Sequence, residues 1–386
     1  MRQTEVGVKV KQEVHQIQPY VQTNLHGAGV RSDVQAESDR HSPLMSVTKS
    51  NLKSDKREYW IDAVRSFACL CVLMSHSPIP STEGGRIVLP VYNFFAVSGA
   101  SILFFMISGA LVLYRQQEFL LFIKKRVSRI FFPMVLWTLI SLVVECFEGK
   151  AEWGDMFGKI LMIPFAPQVG TYWFIYVIFG IYLLTPLLST WLAHTSKREV
   201  EFVLGLWGIT LLFPFIGDGC VKIMINFSHG YFYYFYGYLG FAVLGYYLRK
   251  YVTWMNMDWR KKVVPLGLFM VFLIVYPTNL IPHSVLQDRM ALHTVILASF
   301  HFLIIKHTHF STKMKKFVYV FAQHSFGIYL VHILVMRSVL WPILEPIEIN
   351  HVIAVPLITL MTALISFLLV WVIGKVVPYS KYIVGV

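Results

Sequence analysis

Tyr59–Pro80, YWIDAVRSFACLCVLMSHSPIP, is the stretch on which the reading of this chain turns. It is mostly apolar and about as long as a membrane span, yet it carries Asp62, Arg65 and His76. Ionisable groups inside a span face a bundle interior or a cavity and mark a functional path. Arg65 and His76 are eleven residues apart. At roughly 100° per residue they return to nearly one helix face, about 16 Å apart along the axis. Asp62 sits one turn before Arg65, where it can pair with the guanidinium. One stripe is therefore expected, from a charged pair near one membrane surface to an imidazole near the other.

Composition extends this reading to the whole chain. It is 56% hydrophobic and only 14% charged, with a mean hydropathy of +0.58, which fits a polytopic membrane protein rather than a soluble domain. The 30 Phe, 20 Tyr and 10 Trp supply interfacial belts. A net charge of +13 could suggest nucleic acid, but the basic residues lie in short loops between apolar runs, so no nucleic-acid partner is expected. Cys69, Cys71, Cys146 and Cys220 have no metal-ligand spacing and read as small apolar fillers. The histidines likewise show no ligand spacing, and no metal site is expected.

Residues 1–58 are polar, without a sustained apolar period or a signal-peptide core, and read as a disordered cytoplasmic tail. Met45, fourteen residues before the first span, is a candidate translation start. From Tyr59 the chain reads as ten apolar segments, approximately 59–80, 94–114, 130–147, 170–191, 200–217, 230–248, 263–281, 291–306, 317–340 and 352–374. Lys and Arg fall in alternate connections, 115–129, 192–199, 249–262, 306–316 and the end from 375, with 18 there against five in the others (Arg86, Lys150, Lys159, Lys222, Arg289). By the positive-inside rule both termini are cytoplasmic. The expected fold is an all-α polytopic bundle of about ten transmembrane helices over 59–374, with a short cytoplasmic end at 375–386. Arg65 then lies towards the cytoplasm and His76 towards the outer face.

Several residues in this frame can carry chemistry, and each also has a plain structural reading. His76 suits a general base that deprotonates an acceptor hydroxyl, or is a headgroup-level histidine with one hydrogen bond. Arg65 with Asp62 is a phosphate ligand or a packed ion pair. Arg126 and Arg129, three apart before Pro133, can project from one side of a helix start. With Arg65 they would form a cytoplasmic anion site for a nucleotide-bearing donor; otherwise they set topology and touch lipid phosphates. Ser108-Gly109 in FFMISG (104–109) lets helices approach closely. Ser325, Tyr329 and His332 recur at i, i+4 and i+7 on one helix face, a polar stripe for function or for helix–helix contact.

Arg65-x10-His76, FFMISG, the R-x-x-R of Arg126 and Arg129, TYWFIYVIFGIYLLTPLL (171–188) and HSFGIYLVH (324–332) occur in the order seen in the acyltransferase 3 family. The sequence resembles that family over roughly 59–374. The resemblance implies ten or so helices and an enzyme moving acyl groups, commonly acetyl from acetyl-CoA, to hydroxyls of surface glycans or their lipid-linked precursors. It implies that His76 is catalytic and is partnered by Arg65, and that acyl-CoA is a co-substrate rather than a resident cofactor. Ser108, Ser325, Tyr329 and His332 would support the site, with Asp62 beside Arg65. Arg65, Arg126 and Arg129 would hold the CoA phosphates while the pantetheine arm threads along the first helix to His76. Tyr329 or a backbone N–H would meet the oxyanion. The fused extracytoplasmic esterase-like domain of some members has no counterpart here, so transfer is expected to finish alone or with a separate partner. The expected place is the inner (plasma) membrane, among its lipids.

Two other readings predict different behaviour. A glycan exporter or flippase would use the stripe as a substrate path without covalent change, with little demand for imidazole at 76. A scaffold would tolerate conservative changes at Arg65 and His76. The absence of a sequence repeat between the halves weakens the transporter reading.

Overall fold

A computed structural model describes residues 58–78, 88–114, 118–216, 232, 234–253, 259–278, 280–347 and 349–385. The expected N-terminal tail except Glu58, the Met45 start, Arg115 and Cys220 lie outside the described residues. Among the described residues all regular structure is helical, with no strands. The principal helices are α1 (Tyr59–His76), α2 (Val88–Gly99), α3 (Ser101–Val112), α4 (Phe119–Phe147), α5 (Trp173–His194) and α6 (Lys197–Thr210). They continue with α7 (Leu239–Tyr251), α8 (Trp259–Val275), α9 (Leu292–His307), α10 (Thr312–Val335) and α11 (His351–Val376).

Each of the ten apolar segments contains a helix, but their lengths differ. Six stretches are long and apolar enough to cross a membrane: Pro90–Val112, Phe119–Phe147, Gly170–His194, Lys197–Ile216, Thr312–Ile347 and His351–Val376. Val263–Thr278 and Leu292–His307 are apolar but shorter, and α7 has 13 residues. α1 has 18 residues and includes Asp62 and Arg65. α7, Val263–Thr278 and Leu292–His307 fall below the roughly 17–25 residues of a full span, whereas α1 reaches that length but is less apolar because it carries Asp62 and Arg65. By length and composition, the described residues supply six stretches that could each cross a membrane.

α11 shows which solvent the bundle faces. Its exposed side chains include Ile353, Leu360, Leu364, Leu368 and Trp371, while Thr359, Thr362 and Ser366 are buried. Polar residues inside and large aliphatics outside reverse the water-soluble pattern and suit lipid.

α1 is the hub, packed against α2, α3, α9, α10 and α11. This is why a helix bearing charges can sit there: neighbours, not lipid, surround it. It runs parallel to α10. Lys315 lies over the Tyr59 ring at 5.6 Å, Ser66 Oγ donates to the Val318 carbonyl at 3.1 Å, and the rings of His76 and His332 are 5.5 Å apart. At the His76 end, Ser77 Oγ and Thr359 Oγ1 lie 2.8 Å apart, tying α1 to α11.

Beside this core, α3 and α7 meet backbone to backbone. A Cβ on Gly109 would lie 1.8 Å from the Ala242 carbonyl oxygen, and one on Gly245 would lie 1.9 Å from that of Met106. Only hydrogen fits at either position. The Ser-Gly pair thus splits its duties: Gly109 packs helices, and Ser108 faces a cavity.

Two helices widen into π turns, Val127–Phe131 within α4 and Met336–Leu340 after α10. Each stands just before a proline, Pro133 and Pro342. Proline has no N–H to give the carbonyl four residues back, so the Arg129 and Ser338 carbonyls lose their ordinary α-helical donors. Each turn also carries an arginine, Arg129 and Arg337. The chain's last turn, Ser380–Tyr382, folds onto α4, where Trp137 Nε1 donates to the Ile383 carbonyl at 2.8 Å.

Candidate active site

A cavity of about 460 Å³ opens beside the first half of α1. Arg65, Arg126, Arg129 and Lys381 line it, with Ser108, Ser325 and Tyr329 on its other walls. Four cations thus share one cavity, although Lys381 stood out in the sequence only as a topology signal. Asp62 is buried, and its Oδ1 lies 3.9 Å from Arg65 Nη1, anchoring the guanidinium at the cavity edge. The Arg126 guanidinium lies 4.8 Å from the Tyr182 ring centre and 5.2 Å from that of Phe122. The Tyr182 hydroxyl is 3.2 Å from Ser108 Oγ, so the second expected motif supports the arginine cluster.

His76 lies outside that cavity, in a chamber of only about 20 Å³ lined also by Ser75, Ser101, Thr171, Trp173 and Arg289. Phe174 and Tyr329 line both spaces and form the wall between them. The stripe read on α1 therefore exists, with an aromatic neck across its middle.

The neck is braced by reciprocal hydrogen bonds. Tyr329 donates its hydroxyl to the Thr171 carbonyl, and Tyr172 donates to the Leu330 carbonyl at 2.5 Å. The Gly170–Tyr172 turn and α10 are thus locked together, and the single Tyr329 proton is committed to Thr171. On α10, Ser325 faces the arginine cavity, Tyr329 the neck and His332 the imidazole of His76. His332 is fully buried. Its Nδ1 lies 2.5 Å from the Tyr329 carbonyl, which can only accept, so Nδ1 bears the proton. In the neutral ring Nε2 is then a bare acceptor, and it has no partner. Ser101 Oγ and Thr171 Oγ1 are also buried without a hydrogen bond. A chamber rimmed by unsatisfied polar atoms fits a reacting group better than an inert core.

An acyltransferase domain model, that of the acyltransferase 3 family, matches residues 58–373. The chain belongs to the acyltransferase 3 family. No curated protein and no solved structure matches it. In this acyltransferase 3 protein a cation-lined space lies at one end, imidazoles at the other and a narrow aromatic neck between.

Sequence reasoning overlooked Arg289, whose guanidinium sits 5.2 Å from the Trp173 ring centre in the His76 chamber. Its signal was present: it is one of few cations in connections otherwise poor in Lys and Arg. Thr171, Trp173 and Phe174 were within a quoted motif but were not singled out. The three described cysteines are free and buried, and Cys71 Sγ would lie 2.5 Å from a Cβ on Gly99, a packing position.

Proposed function

We propose that this chain is an integral inner-membrane O-acyltransferase, with both termini cytoplasmic, moving acetyl from cytoplasmic acetyl-CoA to a hydroxyl of a surface polysaccharide or lipid-linked glycan. The observation that carries it is the pairing of two spaces across one neck: four cations on one side, His76 with His332 on the other. In this reading Arg65, Arg126, Arg129 and Lys381 hold the CoA phosphates by charge-assisted hydrogen bonds. The pantetheine arm passes between Phe174 and Tyr329, and the Phe174 ring, which no hydrogen bond holds, swings aside to admit it while Tyr329 stays bonded to the Thr171 carbonyl. Acetyl-CoA is consumed as co-substrate, and no resident cofactor or metal is needed.

His76 takes the proton from the acceptor hydroxyl as its oxygen bonds to the thioester carbonyl carbon. The C–S bond of the resulting tetrahedral adduct breaks, and the proton passes to the departing CoA sulfur, leaving an ester and free CoA. His332 is a positioning residue: its ring packs 5.5 Å from that of His76, and its bare Nε2 is the acceptor that takes the His76 N–H when bound substrate draws the two rings together, fixing the reactive tautomer. Arg289, held against Trp173, stabilises the oxyanion because the Tyr329 proton is already committed.

The test is labelled-acetyl transfer from acetyl-CoA into the host's envelope glycan, in membranes with wild-type protein or with variants at matched abundance. His76→Ala is expected to abolish incorporation, and Arg289→Ala to lower it by about 10²-fold. Full incorporation by His76→Ala would remove that residue from the chemistry. Glycan translocation without incorporation would favour the exporter.

A further inference from the structure

At the His76 end lies a separate cavity of about 260 Å³, between α4, the Gly170–Tyr172 turn and the segment leaving α10. Ser141, Glu145, Gly170, Thr171 and Arg337 line it with Val169, Ile333 and Leu334. The donor reading uses none of these residues except for the Thr171 carbonyl.

Its polar groups are set in fixed positions. Arg337 Nη1 donates to Glu145 Oε1 at 2.8 Å, and Nη2 lies 3.6 Å from Glu148 Oε2. Ser338 Oγ donates to Glu148 Oε1 at 2.6 Å. The π turn before Pro342 carries Arg337 and Ser338 towards α4. Two buried atoms among the lining residues have no hydrogen bond: Arg337 Nε, a donor, and Thr171 Oγ1, a donor and acceptor. Buried polar atoms seldom stay unpaired without a reason.

Three features narrow the ligand. Arg337 is flanked by two carboxylates, which repel a phosphate chain and leave the nucleotide to the arginine cavity. Carboxylate, guanidinium and hydroxyl groups around a small space match a ring bearing several hydroxyls, each able to donate and accept. The volume is just below the roughly 300–1,000 Å³ of drug-sized sites, a size for one ring rather than an oligomer. Gly170 is exposed, which leaves room for the remaining glycan to run outward.

Position supplies the link. Thr171 lines both this cavity and the His76 chamber, so a hydroxyl projecting past Thr171 enters the space where His76 acts. We infer that the cavity lined by Ser141, Glu145, Gly170, Thr171 and Arg337 binds a sugar ring of the acceptor and presents its hydroxyl past Thr171 to His76. This rests on the acyl-transfer reading above.

Two measurements on the full chain in membranes separate the inference from that reading. The first uses the host's extracted envelope glycan with labelled acetyl-CoA. Glu145→Gln, which keeps the side chain's size, is expected to raise the glycan concentration for half-maximal incorporation about tenfold or more. The acetyl-CoA requirement and the slow hydrolysis of acetyl-CoA by water should stay at wild-type values. A merely structural ion pair would move all of these together, and that result, or no change in the glycan requirement, overturns the inference. The second needs no turnover. A Cβ at Gly170 meets nothing within 4 Å, so Gly170→Cys in a Cys220→Ser background offers a thiol at the cavity mouth. Envelope glycan is expected to slow its reaction with a membrane-impermeant maleimide at least threefold, and Glu145→Gln to remove that protection. Protection without any acetyl incorporation would keep the glycan site and sink the transferase. Incorporation without protection would do the reverse.

Discussion

Arg126 shows how one side chain can be fixed by packing and still line a cavity. Its guanidinium lies close to two aromatic rings, a contact that favours the planar, weakly hydrated group over an ammonium. Arg126→Lys keeps the charge but loses the stacking and the fork. It is expected to raise the half-saturating acetyl-CoA concentration several-fold while the glycan requirement stays put. Arg126→Ala should raise it by about tenfold or more, the size of one lost charge-assisted hydrogen bond. Steady-state transfer kinetics with each substrate varied in turn checks both. These arginines were legible because their spacing places them on one helix start before a proline. The partners Tyr182 and Lys381 were not, since nothing local in the chain ties them to Arg126.

Among the elements, the α3–α7 contact sets the sharpest constraint. At Gly109 and Gly245 a methyl group would strike a backbone carbonyl, and backbone cannot swing away as a side chain does. Gly109→Ala and Gly245→Ala are each expected to destabilise the folded protein by about 1–3 kcal/mol or more. Gly180, where a Cβ meets nothing within 4 Å, should accept alanine with no loss. Thermal unfolding in detergent, followed by size-exclusion chromatography, distinguishes the pair from the control. The Ser-Gly dipeptide hinted at close packing, but its match on α7 is over a hundred positions away and only the fold reveals it. The two π turns follow the same logic: Pro133 and Pro342 are visible in sequence, while the cavities their arginines enter are not.

For the molecule as a whole, the proposed sidedness makes a prediction through where its charges gather. Gly385 and Lys381 line the arginine cavity with Arg65, so the beginning and the end of the described chain sit at the same end of the bundle, where α10 also begins with Lys313, Lys315 and Lys316. With that end cytoplasmic, a cysteine at Lys313 should be shielded from an impermeant thiol reagent in intact cells and labelled only after permeabilisation. Gly170→Cys should label in intact cells. The opposite pattern would invert the protein and place the donor site on the wrong side for cytoplasmic acetyl-CoA.

The sequence alone determined the membrane class, the all-helical fold, the family and the stripe from Arg65 to His76. All of these follow from hydropathy, motif order or the fixed geometry of one helix, which are properties of neighbouring residues. Each of its ten apolar segments holds a helix, and among the described residues six stretches are long and apolar enough to cross a membrane by themselves; a helix sheathed by its neighbours, as α1 is, need not meet the apolarity that lipid demands. Only tertiary structure placed His332 against His76 and Arg289 in their chamber, set Phe174 and Tyr329 across the stripe, and opened a second cavity behind Thr171. The Tyr329–Thr171 contact joins positions 158 residues apart, and no periodicity along the chain encodes a meeting that depends on how separate helices pack.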